Sequence, residues 1–201
     1  MLIIGINGSP RKTGNTAYLV QEGLKAASST GAQTALIHVV DVLADQKQPF
    51  CNHCSSPCQG SCFRGKRLEE AYNLLRQADG ILLGSPVYFG SVSAQLKAFW
   101  DKSRFLRKEK ALLNVVGAAV AVGGSRFGGQ ESTLRALFDM MLVQGMMIIG
   151  DGYRDYDCGH HGGCSQAPAI EDEFAQQRVR ILGLRLAEVA AATMSLRKRN
   201  L

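Results

Sequence analysis

Two stretches of this 201-residue chain combine residue types and spacings that suggest chemistry. The first is Gly8-Ser9-Pro10-Arg11-Lys12-Thr13-Gly14-Asn15-Thr16, a glycine-bearing turn between an apolar run and a helical pattern. Such a turn offers free backbone amides and the positive end of a helix dipole to an anion. Ser9, Thr13, Asn15 and Thr16 add hydrogen-bonding side chains, Arg11 and Lys12 add cations, and Pro10 removes one amide while stiffening the turn. A dense set of small donors suits a terminal phosphomonoester, which has three oxygens to satisfy. Two other phosphate loops fail against the letters. A nucleoside-triphosphate loop needs Gly-x4-Gly-Lys-Ser/Thr, but its second glycine falls on Thr13 and no lysine precedes Thr16. A dinucleotide loop needs Gly-x-Gly-x-x-Gly, whereas two residues separate Gly5 from Gly8. An ordinary polar turn with a helix cap is the structural alternative.

The second stretch is Cys51-x2-Cys54-x3-Cys58-x3-Cys62, four thiols within twelve residues. Thiolates so spaced can wrap a [4Fe–4S] cluster, although bacterial ferredoxin loops run x2, x2, x3 and place proline after the last cysteine, where Phe63 stands here. Zinc held by the same thiolates, with His53 nearby, is a second reading. Oxidisable thiols or disulfides without metal are a third. A weaker group, Cys158-Gly-His160-His161-Gly-Gly-Cys164, reads as a mobile lid with solvated histidines, with metal binding or closure over a ligand as alternatives. His38 reads as a satisfied core histidine.

Strands alternating with helices must position these residues. Leu2 to Ile6 is a continuous apolar run, as expected of a parallel strand buried on both faces. A helical period follows from Asn15 toward Gly31, then a second strand over 34–40. The stretch 45–67 is a long loop holding the four cysteines, and loops of that length are usually functional. A helix over 68–77, a strand over 80–84, a helix over 93–104, a strand over 115–122, a helix over 131–143, a short strand over 146–149 and a long amphipathic helix over 170–196 complete the pattern. This alternation predicts an α/β three-layer sandwich, a five-stranded parallel sheet of order 2-1-3-4-5 with helices on both faces. One domain over 1–201, with a cysteine-rich insertion at about 45–67, is the simplest organisation.

The formal charge of +6 favours anionic partners, although a merely basic surface is the blander reading. Part of the excess, Arg197-Lys198-Arg199, is expected to fray into solvent. The amino terminus has no basic leader, and the longest nearly apolar run, 111–124, is too short to span a bilayer. A soluble, cytoplasmic protein is expected, and there cysteines favour metal or redox chemistry over structural disulfides.

The 8–16 loop resembles the FMN phosphate loop of the NAD(P)H-dependent FMN reductases and iron-sulfur flavoproteins of the flavodoxin-like superfamily. Ser85-Pro86-Val87-Tyr88-Phe89-Gly90 and Gly123-Gly124-Ser125-Arg126-Phe127-Gly128-Gly129-Gln130-Glu131 resemble that family's second and third flavin loops, and the similarity spans roughly residues 1 to 150. The resemblance implies a flavodoxin-like fold with FMN bound by residues 9–16, 86–90, 123–126, 128 and 129. Pro86 and Tyr88 offer a wall to the flavin ring, Phe89 adds apolar surface, and amides near 88–90 and 123–125 suit its polar edge. Iron-sulfur flavoproteins carry a compact four-cysteine motif in the same insertion, with somewhat different spacings. The activity implied is NAD(P)H oxidation by bound FMN, which carries the chemistry without a protein acid–base pair. Electrons would pass to a small molecule or redox protein, with a [4Fe–4S] cluster as relay, in a homodimer or homotetramer without nucleic acid or membrane partners. The alternatives are a flavodoxin-type carrier, against which the pI of about 9.1 argues, and a zinc-binding basic interaction module. NADH is not distinguished from NADPH, nor one acceptor from another.

Overall fold

The computed structural model describes residues 1–197. Strand β1 (Leu2–Asn7) lies between β2 (Gln33–His38) and β3 (Gly80–Pro86), and β4 (Val116–Gly123) continues the sheet to β5 (Met147–Ile148). All strand pairings are parallel and the order is β2-β1-β3-β4-β5. The expected architecture is therefore present.

Side-chain parity on the strands assigns the two helical layers. Ile3, Leu82, Val116, Ala118 and Val120 point to one face, where α1 (Asn15–Ser28) and α7 (Glu173–Ala192) cover them. Ile4, Ile6, Ile81, Leu83, Ala119 and Ala121 point to the other. There α3 (Arg67–Gln77), α4 (Ala94–Lys102), α5 (Arg104–Glu109) and α6 (Gln130–Leu142) supply Tyr72, Phe99, Leu106 and Leu137. A strand whose alternate residues are both apolar is readable as an unbroken hydrophobic run, which is why β1, β3 and β4 stand out in the sequence.

Four details differ from expectation. The strand over 34–40 stops at His38, and Val39–Leu43 forms a short helix, α2, whose Val39 plugs the core. The outer sheet position is shared: β5 pairs with the start of β4, and an additional strand, β6 (Gly163–Gln166), pairs with its end. The final helix begins at Glu173, three residues later than read, because the Asp172 carboxylate caps Ala175 N at 3.0 Å. Arg197 does not fray. Its side chain is 3% exposed, pairs with Asp79 at 3.2 Å and donates to Thr193 Oγ1 at 3.0 Å. Lys198 and Arg199 lie outside the described residues.

Candidate active site

The three loops come together at the carboxyl ends of β1, β3 and β4. In the first, Asn7 at the end of β1 organises the turn: its Oδ1 accepts from Ser9 N at 3.1 Å and its Nδ2 donates to Arg11 O at 3.1 Å. Ser9 Oγ accepts from Arg11 N at 3.0 Å. The amides of Thr13, Gly14, Asn15 and Thr16 donate to no group among the described residues. Helix α1 has no side-chain cap and no acidic residue in its first turn, so its positive end is uncompensated. That arrangement fits a phosphate better than an ordinary capped turn, in which a side chain takes up these donors.

Not every expected side chain faces the cradle. Lys12 pairs with Asp41 of α2 at 2.8 Å, both about half exposed, and holds that carboxyl below its ordinary range. Arg11 is exposed and has no carboxylate partner among the described residues. Asn15 Oδ1 accepts from Ala169 N at 3.0 Å, which ties α1 to the segment before α7 and leaves its amide nitrogen as donor. Pro10 and Gly14 are half-buried, Thr13 is exposed, and Thr16 is buried at the helix start.

The second loop is a tight turn. Tyr88 and Ser91 exchange backbone hydrogen bonds of 2.9 and 3.1 Å, while Phe89 and Gly90 adopt positive φ of 50° and 77°. A phenylalanine in the left-handed region stores local strain, a condition that clusters at functional sites. Phe89 is fully exposed and Tyr88 is 45% exposed, so neither is a core anchor. Val87 N bonds Val122 O at 2.8 Å and continues the sheet into the loop. In the third loop, Gly128 N closes on Ser125 O at 3.1 Å and Gln130 Nε2 donates to the same oxygen at 2.8 Å. Arg126 stacks on Phe127 with its guanidinium carbon 5.4 Å from the ring centre, and Phe127 is again at positive φ and 93% exposed. Gly123 is buried, and Gly124 is open.

Specific groups stitch the loops into one site. Ser93 Oγ donates to Gly8 O at 2.5 Å and accepts from Leu96 N at 3.1 Å, while Ser93 N donates to Ser85 Oγ at 3.0 Å. One residue thereby caps α4 and joins loop one to loop two. Ser132 Oγ donates to Gly90 O at 2.7 Å, and Gly129, at φ 101°, packs so closely on Gly90 that a Cβ would lie 3.0 Å from its Cα. Loops two and three are therefore in contact. Sequence reasoning misses the parts played by Asn7, Ser93, Ser132 and Gln130. Only Ser93 carries a signal there, a serine preceding an apolar helix face.

His38 sits beside this site, half-buried, with Nδ1 3.0 Å from Asn7 Nδ2. That contact assigns Nδ1 as acceptor in the neutral ring. Burial, opposed by Asp41 and aided by Lys12, pushes the His38 pKa down. The unfolded chain, with an ordinary value of about 6.5, then binds the proton first as pH falls. Stability should drop as pH falls through about 6.5 toward the depressed folded value. Melting temperatures at pH 7.5 and 5.5 check this. His38→Gln should shrink the difference between the two, and an undiminished difference would assign it to other groups.

The cysteine insertion lies apart, draped on the α3–α4–α5 face. Phe63 anchors it, edge-on to Tyr72 at 5.1 Å and Phe105 at 5.3 Å. All four thiols are free; Cys54 is exposed and Cys51, Cys58 and Cys62 are half-buried. Burial raises the Cys62 thiol pKa, and the other three sulfurs add to the effect, so the four share one electrostatic neighbourhood. Cations surround them: Arg104 reaches His53 Nε2 at 3.1 Å and Lys108 reaches Cys58 O at 3.4 Å. The donor set and its charge environment suit a thiolate-bound metal centre. Among the described residues no three side chains are already arranged as metal ligands.

The Cys158–Cys164 segment is pinned rather than loose. Asp151, fully buried, is held by Arg178 of α7 and accepts from His160 N. Arg178 also makes two 2.9 Å bonds to Asp157. His160 and His161 are solvated, as expected, and Cys164 on β6 is pushed up to about 12 by burial, which keeps it a thiol. The expected lid is thus latched to the body of the protein.

A parallel sheet of this order, flanked by helices and bearing three joined loops at its carboxyl edge, places the chain in the flavodoxin-like class of α/β folds. The chain belongs to the NADPH-dependent FMN reductase family, whose model matches residues 1–160. It is 42% identical to an iron-sulfur flavoprotein of Methanocaldococcus jannaschii over 94% of this chain and 97% of that one. It is 38% identical to an iron-sulfur flavoprotein of Methanosarcina thermophila, covering 94% and 95%. Its fold matches a flavodoxin, WrbA-like protein from Agrobacterium tumefaciens with a TM-score of 0.69 at 19% identity, covering 96% and 98%.

Proposed function

We propose that the chain binds FMN across the three loops and uses it to oxidise NAD(P)H. The observation that carries this reading is the row of unengaged amides at residues 13–16, held in register with the ring loops by Ser93. In it, residues 9–16 seat the phosphate, with Arg11 as the cation left free of a carboxylate. Pro86 to Gly90 and Gly123 to Gly129 frame the ring, where glycine-rich backbone permits close approach. When bound, FMN supplies two-electron chemistry toward a nicotinamide and one- or two-electron chemistry toward an acceptor. The chain's own part is to orient the ring, expose one face and meet the nucleotide's phosphates, for which Arg126 is positioned at the rim.

In the same reading, Cys51, Cys54, Cys58 and Cys62 hold a [4Fe–4S] cluster that passes electrons to a small acceptor or redox protein. The names of two relatives and the cationic setting of the loop support it. Exposed Phe89 and Phe127 beside the site favour a homodimer or homotetramer in which a neighbouring copy covers them. A cytoplasmic location belongs to this reading too, because free thiols persist in a reducing compartment. No helix among the described residues is long and apolar enough to cross a membrane. Residues 1–201 act as one flavin-binding unit with the insertion as its redox appendage.

Anaerobic purification followed by a visible spectrum, iron and sulfide analysis, and NAD(P)H turnover tests all of this. Flavin absorbance, iron with acid-labile sulfide and nucleotide oxidation are expected. A colourless protein that binds no added FMN would overturn the flavin reading; a yellow protein that takes up no iron on reconstitution would overturn only the cluster.

A further inference from the structure

Two hollows of about 870 and 1030 Å³ meet beyond the third loop, with Glu131, Cys164 and Phe174 in the walls of both. Together they form one groove, with Arg126 and Phe127 of the third loop in one half and His160 and His161 in the other. Either volume is ample for part of a small molecule. Its walls are tied together: Ala167 N donates to Gly123 O at 2.8 Å, and Gln130 Nε2 reaches Ser165 O at 3.3 Å. Most charged groups in the groove are already engaged. Arg178 is held by Asp151 and Asp157, Arg185 donates to Gly152 O at 2.7 Å, and the Asp172 carboxylate accepts from Ala175 N and Gln166 N, each at 3.0 Å. Glu131 and Glu171 are exposed and pair with no cation among the described residues. Beyond Arg126, the groove therefore presents a guest with open carboxylates and no open arginine. Phe174, 63% exposed, adds a flat apolar face, with the His160 ring edge-on at 6.2 Å.

We propose that this groove takes the adenosine half of the nicotinamide nucleotide and that Glu131 makes the protein select NADH over NADPH. The proposal rests on the reading that the chain oxidises NAD(P)H at a flavin framed by the three loops. With the nicotinamide at the ring, Arg126 meets the linking diphosphate and the adenosine runs on along the groove toward Phe174. Glu131, in the first turn of α6, lies where the two hollows join. Its carboxylate accepts hydrogen bonds from the 2′- and 3′-hydroxyls of the adenosine ribose, whereas a 2′-phosphate in the same place brings like charges together. A carboxylate in the first turn also suits the dipole of its own helix, but that effect bears equally on both nucleotides.

The test compares the original FMN-loaded chain with Glu131→Gln and Glu131→Arg. Values of kcat/KM for NADH and NADPH are measured with ferricyanide as acceptor at pH 8, above the ordinary histidine range. Binding of ADP-ribose and of its 2′-phosphate is measured by calorimetry in the same buffer, a readout free of turnover. The original chain should favour NADH and ADP-ribose by at least about tenfold, and Glu131→Gln should cut that preference by at least about fivefold, chiefly by weakening NADH. Glu131→Arg should favour the 2′-phosphorylated compounds. A purely helix-stabilising role for Glu131 would move both nucleotides together and leave the preference unchanged. An unchanged preference in both variants, or an original chain that uses NADPH as well as or better than NADH, would overturn the inference and leave NAD(P)H oxidation standing. An original chain that oxidises neither nucleotide and binds neither fragment would overturn the nucleotide reading and this inference together.

Discussion

Gly8→Ala should weaken FMN binding by at least about 100-fold, equivalent to about 2.7 kcal/mol. A methyl group at residue 8 would lie 2.6 Å from Gly84 O and 2.8 Å from two carbons of Leu96. Gly84 belongs to β3 and cannot retreat without breaking the sheet register between Asn7 and Gly84. The displaced element is therefore the phosphate loop itself. Its two anchors go with it: Gly8 N to Gly84 O at 2.8 Å, and Ser93 Oγ to Gly8 O. Overpacking of this kind costs about 1–3 kcal/mol in stability, small enough for the sheet to survive. Titration of FMN fluorescence with apoprotein reads the affinity, and far-ultraviolet circular dichroism confirms the fold. A folded variant with unchanged affinity would show that the loop does not depend on this close approach.

Arg178→Met should remove about 3–5 kcal/mol of folding stability, the usual effect of stranding one member of a buried ion pair. Asp151 has no exposed surface, and the Arg178 side chain is 7% exposed. The guanidinium reaches the Asp151 carboxylate and carbonyl as well as the Asp157 carboxylate. Those carboxylates raise the Arg178 pKa further above its ordinary value, Asp151 being the largest cause. Losing the arginine leaves a buried carboxylate without its cation and releases the segment that carries His160. Urea denaturation measures the loss. The double variant Asp151→Asn with Arg178→Met should recover part of it, because the stranded charge is gone. Equal stability of the single and double variants would contradict this account.

Local patterns reported the parts of this protein that depend on local physics. The runs in β1, β3 and β4 are apolar because both faces of a parallel sheet are buried, and the loops after them carry their own letters. What stayed hidden depends on distant partners. Gly163-Cys164-Ser165-Gln166 has no β-branched residue, and it is a strand only because β4 extends beyond β5 and offers it a ladder. Val39-Val40-Asp41-Val42-Leu43 has the composition of a strand, yet it is helical where burial of Val39 outweighs propensity. Asp151 and Arg178 are 27 residues apart, and nothing in the intervening residues announces the pair. The phosphate loop was legible as a unit, but the roles within it were not: Lys12 turns to Asp41, and Asn7, outside the recognised motif, holds the turn.

Ser93 has a consequence for selectivity. Its hydroxyl grips the loop before α1 while its amide grips the end of β3, so Ser93, together with the Gly8 N to Gly84 O bond, fixes the gap between the two loops. A guest that touches both must have its anionic end and its flat end separated by that fixed length. Inorganic phosphate spans too little, and riboflavin lacks the anion. The protein in effect carries its own gauge, and the serine is the rivet that keeps the jaws at one setting.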